Sequence, residues 1–232
     1  MLPKIKPPFF ELGPKSYMYG DSVVELARVA DEAARKFDIR VIFSSPFLSA
    51  EKIVRAVKNI YVFAPYMDDV TVGRGVGKII PEALKEIGIS GICLNHVERP
   101  ITLATLINLI NRARNIGLYT DVCASSMQEI RAVATLNPNI IIAEPTELIG
   151  SGESADLTYI KASVKAVESI NPNISVLIGA GISSGEDVYK CIYNGADATG
   201  CSSSIFTAPD PELKIYEFFG AVRQAWNDRH NQ

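Results

Sequence analysis

Short apolar runs rich in β-branched residues recur along the chain, and a longer segment of helical periodicity follows each of them. This alternation predicts repeated strand–helix units. The predicted strands cover residues 8–12, 40–43, 60–64, 91–94, 119–122, 140–143, 175–178 and 198–201. The predicted helices cover residues 22–36, 50–57, 80–87, 101–116, 127–136, 159–170, 185–193 and 211–226. Eight strands is the number that closes a parallel barrel.

Individual residues give further information on the first helix and on the first and eighth strands. Ser22 and Glu25 have the spacing of a capping box, so we expect the first helix to begin there. The two prolines at the start of the first strand, Pro7 and Pro8, and the glycine and serine residues around the eighth make these two strands the weakest of the set. Both are still expected to belong to the barrel.

The alternation continues to the C-terminal segment without a low-complexity linker or a change in composition. A second domain therefore has no obvious starting point. We predict one domain over residues 1–232, an α/β fold formed as a single (β/α)8 TIM barrel. A doubly wound open sheet is the alternative for such an alternating pattern.

Composition excludes several classes of protein. The 232 residues are 47% hydrophobic and 21% charged, as in a folded globular chain. The net charge of −3, without a long Lys/Arg run, argues against a nucleic-acid partner. No apolar run approaches the roughly 18 residues of a membrane span, and the proline-rich start does not resemble a signal peptide, so we expect a cytoplasmic protein.

The cysteines are scattered along the chain and form no CxxC pair. That distribution favours reduced, buried thiols over disulfides or a zinc site. The four residues are Cys93, Cys123, Cys191 and Cys201.

In parallel barrels, reactive side chains stand on the loops that follow the strands. His96 follows the fourth predicted strand, and its position favours a catalytic imidazole over a structural one. Glu144 follows the sixth strand. Pro145 stiffens the exit of that strand and the later segment 150–152 is Gly-Ser-Gly, which together predict a base on a hinged lid rather than a solvated surface carboxylate.

Small residues follow the last two strands, at 179–185 and 202–204. They allow backbone N–H groups to approach a phosphate, although Ser183 and Glu186 also fit a simple capping box. Lys15 follows the first strand and is by itself an ordinary surface charge. It gains weight as a functional candidate only beside the other loops.

Together, residues 95–99, 144–152 and 179–188 resemble the triosephosphate isomerase family, particularly its shorter archaeal-type form. The resemblance extends over nearly the whole chain. It implies that Glu144 is the base that moves a proton between two carbons and that His96 is a neutral imidazole that polarises the carbonyl. It also implies that Lys15 steadies the negative substrate, that Glu98 holds Lys15, and that no metal or organic cofactor is needed. Substrate and phosphate contacts are implied for the backbone around Gly13, Ile149, Gly181, Ser202 and Ser203.

The chain departs from the family pattern at several positions. Gly13 stands where the family has an asparagine, so one side-chain hydrogen-bond donor to the substrate is missing. The loss of such a donor costs about a hundredfold in rate in other enzymes. Val97 replaces a serine, Pro65 and Tyr66 replace Gln-His, and residues 73–77 alter the loop that usually joins subunits. The segment after Gly152 is about three residues shorter.

Three functions remain open from the sequence. The first is interconversion of dihydroxyacetone phosphate and glyceraldehyde 3-phosphate, with Glu144 as base and His96 as electrophile. The second is isomerisation of a longer phosphorylated sugar, such as a tetrulose phosphate, because Gly13 enlarges the pocket. The third is a catalytically inactive relative that binds a phosphorylated metabolite. A homo-oligomer, either a dimer or a tetramer, is expected for this type of barrel.

Overall fold

The computed structural model describes residues 2–231. Eight parallel strands pair in chain order, and the eighth pairs with the first, so the sheet is a closed barrel. The predicted barrel is confirmed and the open sheet is excluded. The strands are β1 (Phe9–Leu12), β2 (Arg40–Ser44), β3 (Tyr61–Ala64), β4 (Gly91–Leu94), β5 (Tyr119–Ala124), β6 (Ile140–Ala143), β7 (Ser175–Ile178) and β8 (Ala198–Cys201).

Every predicted helix is present, with ends that differ by a few residues. The helices are α1 (Asp21–Phe37), α2 (Ala50–Ala56), α3 (Pro81–Glu86), α4 (Leu103–Asn115), α5 (Met127–Thr135), α6 (Leu157–Glu168), α7 (Gly185–Tyr193), α8 (Ser203–Phe206) and α9 (Pro211–His230). Helix α8 is a single turn that the sequence pattern did not predict. Two 3₁₀ turns, Phe47–Ser49 and Thr146–Leu148, were also not predicted.

The predicted capping box of Ser22 and Glu25 is wrong. Helix α1 begins at Asp21, and Gly20 is its N-cap, with a positive φ of 69° and no side-chain cap. Ser22 therefore lies inside the first turn, where its hydroxyl donates a hydrogen bond to the carbonyl oxygen of Tyr19 at 2.9 Å. Ser22 is the second residue of the helix and cannot be its N-cap. A capping side chain must precede the helix to reach the free N–H groups of the first turn.

The two weakest predicted strands close the barrel. Phe9 lies opposite Ala198, and the pairing continues to the end of both strands. Gly200 permits this close approach, because a Cβ at that position would lie 2.6 Å from the carbonyl oxygen of Glu11. The glycine that weakens β8 as an isolated strand is thus required by its neighbour.

The barrel interior changes from apolar to polar along its axis. Large apolar side chains, among them Phe9, Ile42, Phe63 and Leu177, fill the part nearer the start of the strands. Polar side chains follow at the end of the strands. Because alternate residues of a strand point to the same face, Glu11 follows Phe9 on the inward face of β1, and Gly13 comes directly after the strand. The polar end of the barrel is therefore the end at which the predicted reactive loops lie.

Across residues 2–231, every helix is too short or too polar to cross a lipid bilayer.

Candidate active site

The structure brings Lys15, His96 and Glu144 together at the rim of the barrel, although they follow three different strands. The Nζ atom of Lys15 lies 2.7 Å from Oε1 of Glu98. The Nε2 atom of His96 lies 3.9 Å from Oε2 of Glu144. The imidazole and the Glu144 carboxylate are largely buried, with side-chain exposures of 22% and 16%. This separation is longer than a direct hydrogen bond, so a small molecule can contact both groups.

One backbone contact defines which nitrogen of His96 carries the proton. The N–H of Glu98 donates to Nδ1 of His96 at 3.1 Å. Because Nδ1 accepts this bond, the proton of a neutral imidazole is on Nε2, the atom that faces Glu144. Asn95 stabilises the same loop from the other side, since its Nδ2 donates to the carbonyl oxygen of Cys123 at 3.1 Å.

Burial and neighbouring charges shift the protonation of both central groups. Desolvation lowers the pKa of His96 below its ordinary value of 6.5, and the positive charge of Lys15 lowers it further, against an opposing effect of Glu98. Desolvation raises the pKa of Glu144 above its ordinary value, and the nearby Lys15 opposes that rise. The hydrogen bond from Lys15 lowers the pKa of Glu98. The site therefore combines a neutral imidazole, a basic carboxylate and a paired lysine.

The segment 145–153 follows Glu144 and is the predicted lid, whose movement stays a prediction. Pro145 leads into the 3₁₀ turn Thr146–Leu148, and Gly150 and Gly152 follow, both with positive φ. The segment then contacts the loop after β7. A Cβ at Gly181 would lie only 1.8 Å from the carbonyl oxygen of Glu153, so only glycine allows the two backbones to meet.

Hydrogen bonds join the loops after β7, β8 and β1. The hydroxyl of Ser202 donates to the carbonyl oxygen of Gly13 at 2.6 Å, and that of Ser204 donates to the carbonyl oxygen of Ile182 at 2.7 Å. Among the described residues, the backbone N–H groups of Gly181, Ile182 and Ser203 donate to no protein acceptor. Free N–H groups on adjacent loops are suitable partners for a phosphate.

The predicted capping box of Ser183 and Glu186 is wrong by one residue. Ser184 and Asp187 form it instead, because helix α7 begins at Gly185 and places Ser184 at the N-cap. Asp187 also accepts hydrogen bonds from the N–H and hydroxyl of Ser183 at 3.1 Å. The N–H groups of residues 183 and 184 are thus engaged within the protein.

Ile149 was predicted to contact the substrate through its backbone, but in the structure its N–H is not free to bind a ligand. It lies on the lid, directly after the 3₁₀ turn, and its N–H donates to the carbonyl oxygen of Thr146 at 3.2 Å. The lid would have to change conformation for this N–H to reach a substrate.

The space beside Gly13 is partly occupied. A Cβ at Gly13 would lie 2.9 Å from the Cβ of Ser44, the last residue of β2. The missing side chain therefore does not leave a cavity of its full size, which weakens the argument from the sequence that Gly13 enlarges the pocket.

Two acidic residues and a serine below the rim were not predicted from the sequence. Glu11 and Asp121 lie inside the barrel, and Ser44 donates a hydrogen bond to Oε1 of Glu11 at 3.0 Å. A charged residue in the middle of an otherwise apolar strand was the available signal for each acid.

Three further features were compared with the rim: possible metal ligands, the cysteines and a cavity. Within residues 2–231, no group of three or more His, Cys, Asp or Glu side chains is placed to hold a metal ion. All four cysteines are free; Cys93, Cys123 and Cys191 are buried as predicted, whereas Cys201 is only partly buried. A cavity of about 430 Å³ lies at the opposite end of the barrel, where Arg40 and Tyr61 begin their strands.

Several known proteins have sequences similar to this chain. The family model of triosephosphate isomerase matches residues 14–210. A triosephosphate isomerase of Sulfurisphaera tokodaii is 36% identical over 218 residues, which are 92% of this chain and 95% of the relative. One from Methanocaldococcus jannaschii is 36% identical over 85% of this chain and 91% of the relative. One from Sulfolobus acidocaldarius is 34% identical over 97% of this chain and 99% of the relative.

A family match over most of the chain, relatives above 30% identity and a closed eight-stranded barrel lead to the same assignment. The chain belongs to the triosephosphate isomerase family, a family of aldose–ketose isomerases.

Proposed function

We propose that this protein interconverts dihydroxyacetone phosphate and glyceraldehyde 3-phosphate, with Glu144 as the base and His96 as the electrophile. The observation that carries the proposal is the pair formed by these two residues. Nε2 of His96 and Oε2 of Glu144 are 3.9 Å apart at the rim, and the other imidazole nitrogen is engaged by a backbone N–H. Family membership supports a small phosphorylated sugar as the substrate.

The reaction is a proton transfer between neighbouring carbons. The carboxylate of Glu144 removes a proton from the carbon next to the carbonyl group, and the electron pair of that C–H bond forms the enediolate. The hydroxyl proton of the first carbon passes to the former carbonyl oxygen, with Nε2 of His96 as the group that can carry it. Glu144 returns its proton to the former carbonyl carbon, so the enzyme ends in its starting state. A carboxylate with a raised pKa is a stronger base than an ordinary one, which suits this step.

His96 and Lys15 stabilise the negative charge that develops on the substrate oxygens. The Nε2–H of a neutral His96 donates a hydrogen bond to the oxygen of the enediolate. Lys15 contributes a positive charge, and its contact with Glu98 at 2.7 Å defines its position. The free N–H groups of the loops after β7 and β8 are the proposed partners of the phosphate.

Exchange of the substrate α-proton in deuterated water tests the proposal. We expect the wild-type protein to incorporate deuterium into dihydroxyacetone phosphate, and we expect Glu144→Gln to reduce this rate by at least about a thousandfold because an amide cannot act as the base. The matched control is Glu147→Gln, an exposed carboxylate three residues later on the same lid. It should keep the wild-type rate. A Glu144→Gln variant as active as the wild type would contradict the proposal.

A longer phosphorylated sugar is the second candidate, and Gly13 is the observation that favours it. The pocket lacks a side chain there, although Ser44 occupies part of the space. Exchange on a tetrulose phosphate with a higher kcat/KM than on the triose would support this candidate. Binding of either sugar phosphate without exchange would support a catalytically inactive relative.

We also propose that the protein is a homo-oligomer. Large apolar side chains are exposed on the loops after β1, β2 and β3, a distribution typical of a subunit contact. They are Tyr17, Tyr19, Leu48, Val72 and Val76. Free cysteines in the described residues suit a reducing compartment such as the cytoplasm.

A further inference from the structure

Two acidic side chains that the proposed reaction does not use lie inside the barrel, below the rim. Glu11 is on β1 and Asp121 is on β5, and the two carboxyl groups interact with each other. The other titratable groups that act on or near Glu11 are Cys93 of β4, Cys123 of β5 and Glu144 of β6. None of these neighbours is a cation. Negative charge at Glu11 or Asp121 is therefore costly.

The hydrogen-bond partners of the two carboxyl groups are incomplete. Oε2 of Glu11 and both carboxyl oxygens of Asp121 are buried and have no partner among the described residues. The hydrogen bond between the two groups raises the pKa of Asp121 and lowers that of Glu11, so the proton of this contact belongs to Asp121, which donates it to Glu11. Desolvation raises the pKa of Glu11 to about 7 and raises the pKa of Asp121 well above its ordinary value. Glu11 is thus uncharged in acidic solution and loses its proton above neutral pH.

Ser44 connects this buried pair to the rim. Its Oγ lies 3.0 Å from Oε1 of Glu11, and its side chain is partly accessible at the end of β2. Its Cβ is 2.9 Å from the position that a Cβ on Gly13 would take. Ser44 therefore occupies the space into which a side chain at position 13 would project.

We propose that Ser44 is a substrate-contacting hydrogen-bond donor that replaces the side chain missing at Gly13, and that uncharged Glu11 is its positioning residue. This inference rests on the proposed isomerase function. The substrate atom concerned is the carbonyl oxygen of the sugar phosphate, which gains negative charge as the enediolate forms.

The direction of the hydrogen bond between Ser44 and Glu11 explains why the charge of Glu11 matters. An ionised carboxylate only accepts hydrogen bonds, so it holds the hydroxyl proton of Ser44 away from the substrate. An uncharged carboxyl group donates to Oγ of Ser44 instead. The hydroxyl proton of Ser44 is then free to point to the substrate oxygen.

Removal of the hydroxyl is the first test. We expect Ser44→Ala to lower kcat/KM for isomerisation at pH 6.5 by at least about tenfold, as loss of one donor to a developing oxyanion does. The matched control is Ser45→Ala, the next residue along the chain, whose buried hydroxyl donates to the carbonyl oxygen of Pro46. We expect this control to remain within about twofold of the wild type. Thermal unfolding checks that both variants are folded.

The pH profile is the second test, because a merely structural role for Glu11 would not change it. In the wild type, kcat/KM should decline above pH 7 as Glu11 ionises. Glu11→Gln presents an amide that donates to Ser44 at every pH, so it should keep activity at pH 6.5 and lose this decline. Glu11→Leu cannot position the hydroxyl and should resemble Ser44→Ala.

The outcomes separate this inference from the proposed function. An active wild type with an unaffected Ser44→Ala variant, or with the same alkaline decline in Glu11→Gln, overturns the roles of Ser44 and Glu11 and leaves the isomerase intact. A wild type that exchanges no proton on the triose or the longer sugar overturns both.

Discussion

The protonation of single side chains controls the chemistry available at this rim. His96 is neutral for two reasons, its burial beside Lys15 and the hydrogen bond that its Nδ1 accepts from the N–H of Glu98. The pKa of Glu144 is raised because the protein excludes water from its carboxyl group. Neither state could be derived from the residue type alone.

The tautomer of His96 can be observed directly. We expect nitrogen NMR to report a protonated Nε2 and an unprotonated Nδ1, with no change until the pH falls clearly below the ordinary value of about 6.5. Substitution of His230, the second histidine of the chain, simplifies the spectrum without affecting the rim. A titration of His96 at or above 6.5 would contradict the neutral electrophile.

The buried acid at Glu11 should reduce stability as the pH rises. Its folded-state pKa is raised to about 7, so between about pH 4 and 7 the unfolded chain releases a proton that the folded chain retains. The free energy of unfolding of the wild type should therefore fall by up to about 1.4 kcal/mol per pH unit in this range, relative to Glu11→Gln.

Urea unfolding at pH 4 and pH 8 measures this difference. Glu11→Gln should be more stable than the wild type at pH 8 by a margin that nearly disappears at pH 4. The matched control is Glu32→Gln, an exposed carboxylate on α1, for which the margin should not depend on pH. An equal effect of Glu11→Gln at both pH values would show that folding does not shift the pKa of Glu11.

At the scale of elements, the lid depends on how the loop after β6 meets the loop after β7. Gly181 has a positive φ of 68°, and Glu153 contacts its backbone. Ser154 then connects the end of the lid to α7, since its hydroxyl donates to Oδ1 of Asp187 at 2.6 Å. The end of the lid is thus attached to the barrel, while its tip around Gly150 and Gly152 is exposed.

Two glycine substitutions distinguish the free-energy cost of a positive φ from the cost of a steric clash. Gly152→Ala should cost about 1–2 kcal/mol of unfolding free energy, because φ is positive but no atom lies within 4 Å of the new Cβ. Gly181→Ala adds a clash with the Glu153 backbone and should cost clearly more. Chemical denaturation measures both values. Equal costs would show that the lid moves away from Gly181 without penalty.

At the scale of the whole molecule, the barrel determines which loops meet. Contacts run between the loops in a ring, from the loop after β7 through those after β8, β1 and β4 to the lid, which returns to the loop after β7. A site formed in this way depends on closure of the sheet. The organisation of residues 1–232 as a single domain stays a prediction, and calorimetry should record one cooperative transition.

The proposed oligomer is also tested at this scale. We expect light scattering to give a mass of two or four chains, and Val76→Asp to reduce it because a charge would be buried in the contact. Thr207→Asp, an exposed position just after α8, is the control and should leave the mass unchanged. A wild-type mass of one chain would exclude the oligomer.

The order of strands and helices was determined by the sequence alone, because the periodicities of apolar residues are local properties of the chain. For the same reason, the sequence placed Lys15, His96 and Glu144 after β1, β4 and β6 and made them candidate site residues. The capping boxes failed because one residue decides a cap, and periodicity does not locate a helix end that closely.

Only the tertiary structure decided which distant groups meet. The pairing of β1 with β8 joins residues almost two hundred positions apart, and no local pattern specifies such a contact. The approach of Ser44 to Gly13 and the pairing of Glu11 with Asp121 depend in the same way on the register and inward alternation of strands in a closed barrel. The sequence thus determined which side chains stand at the strand ends. The closed sheet determined the neighbours and the burial of these side chains, and hence their protonation states.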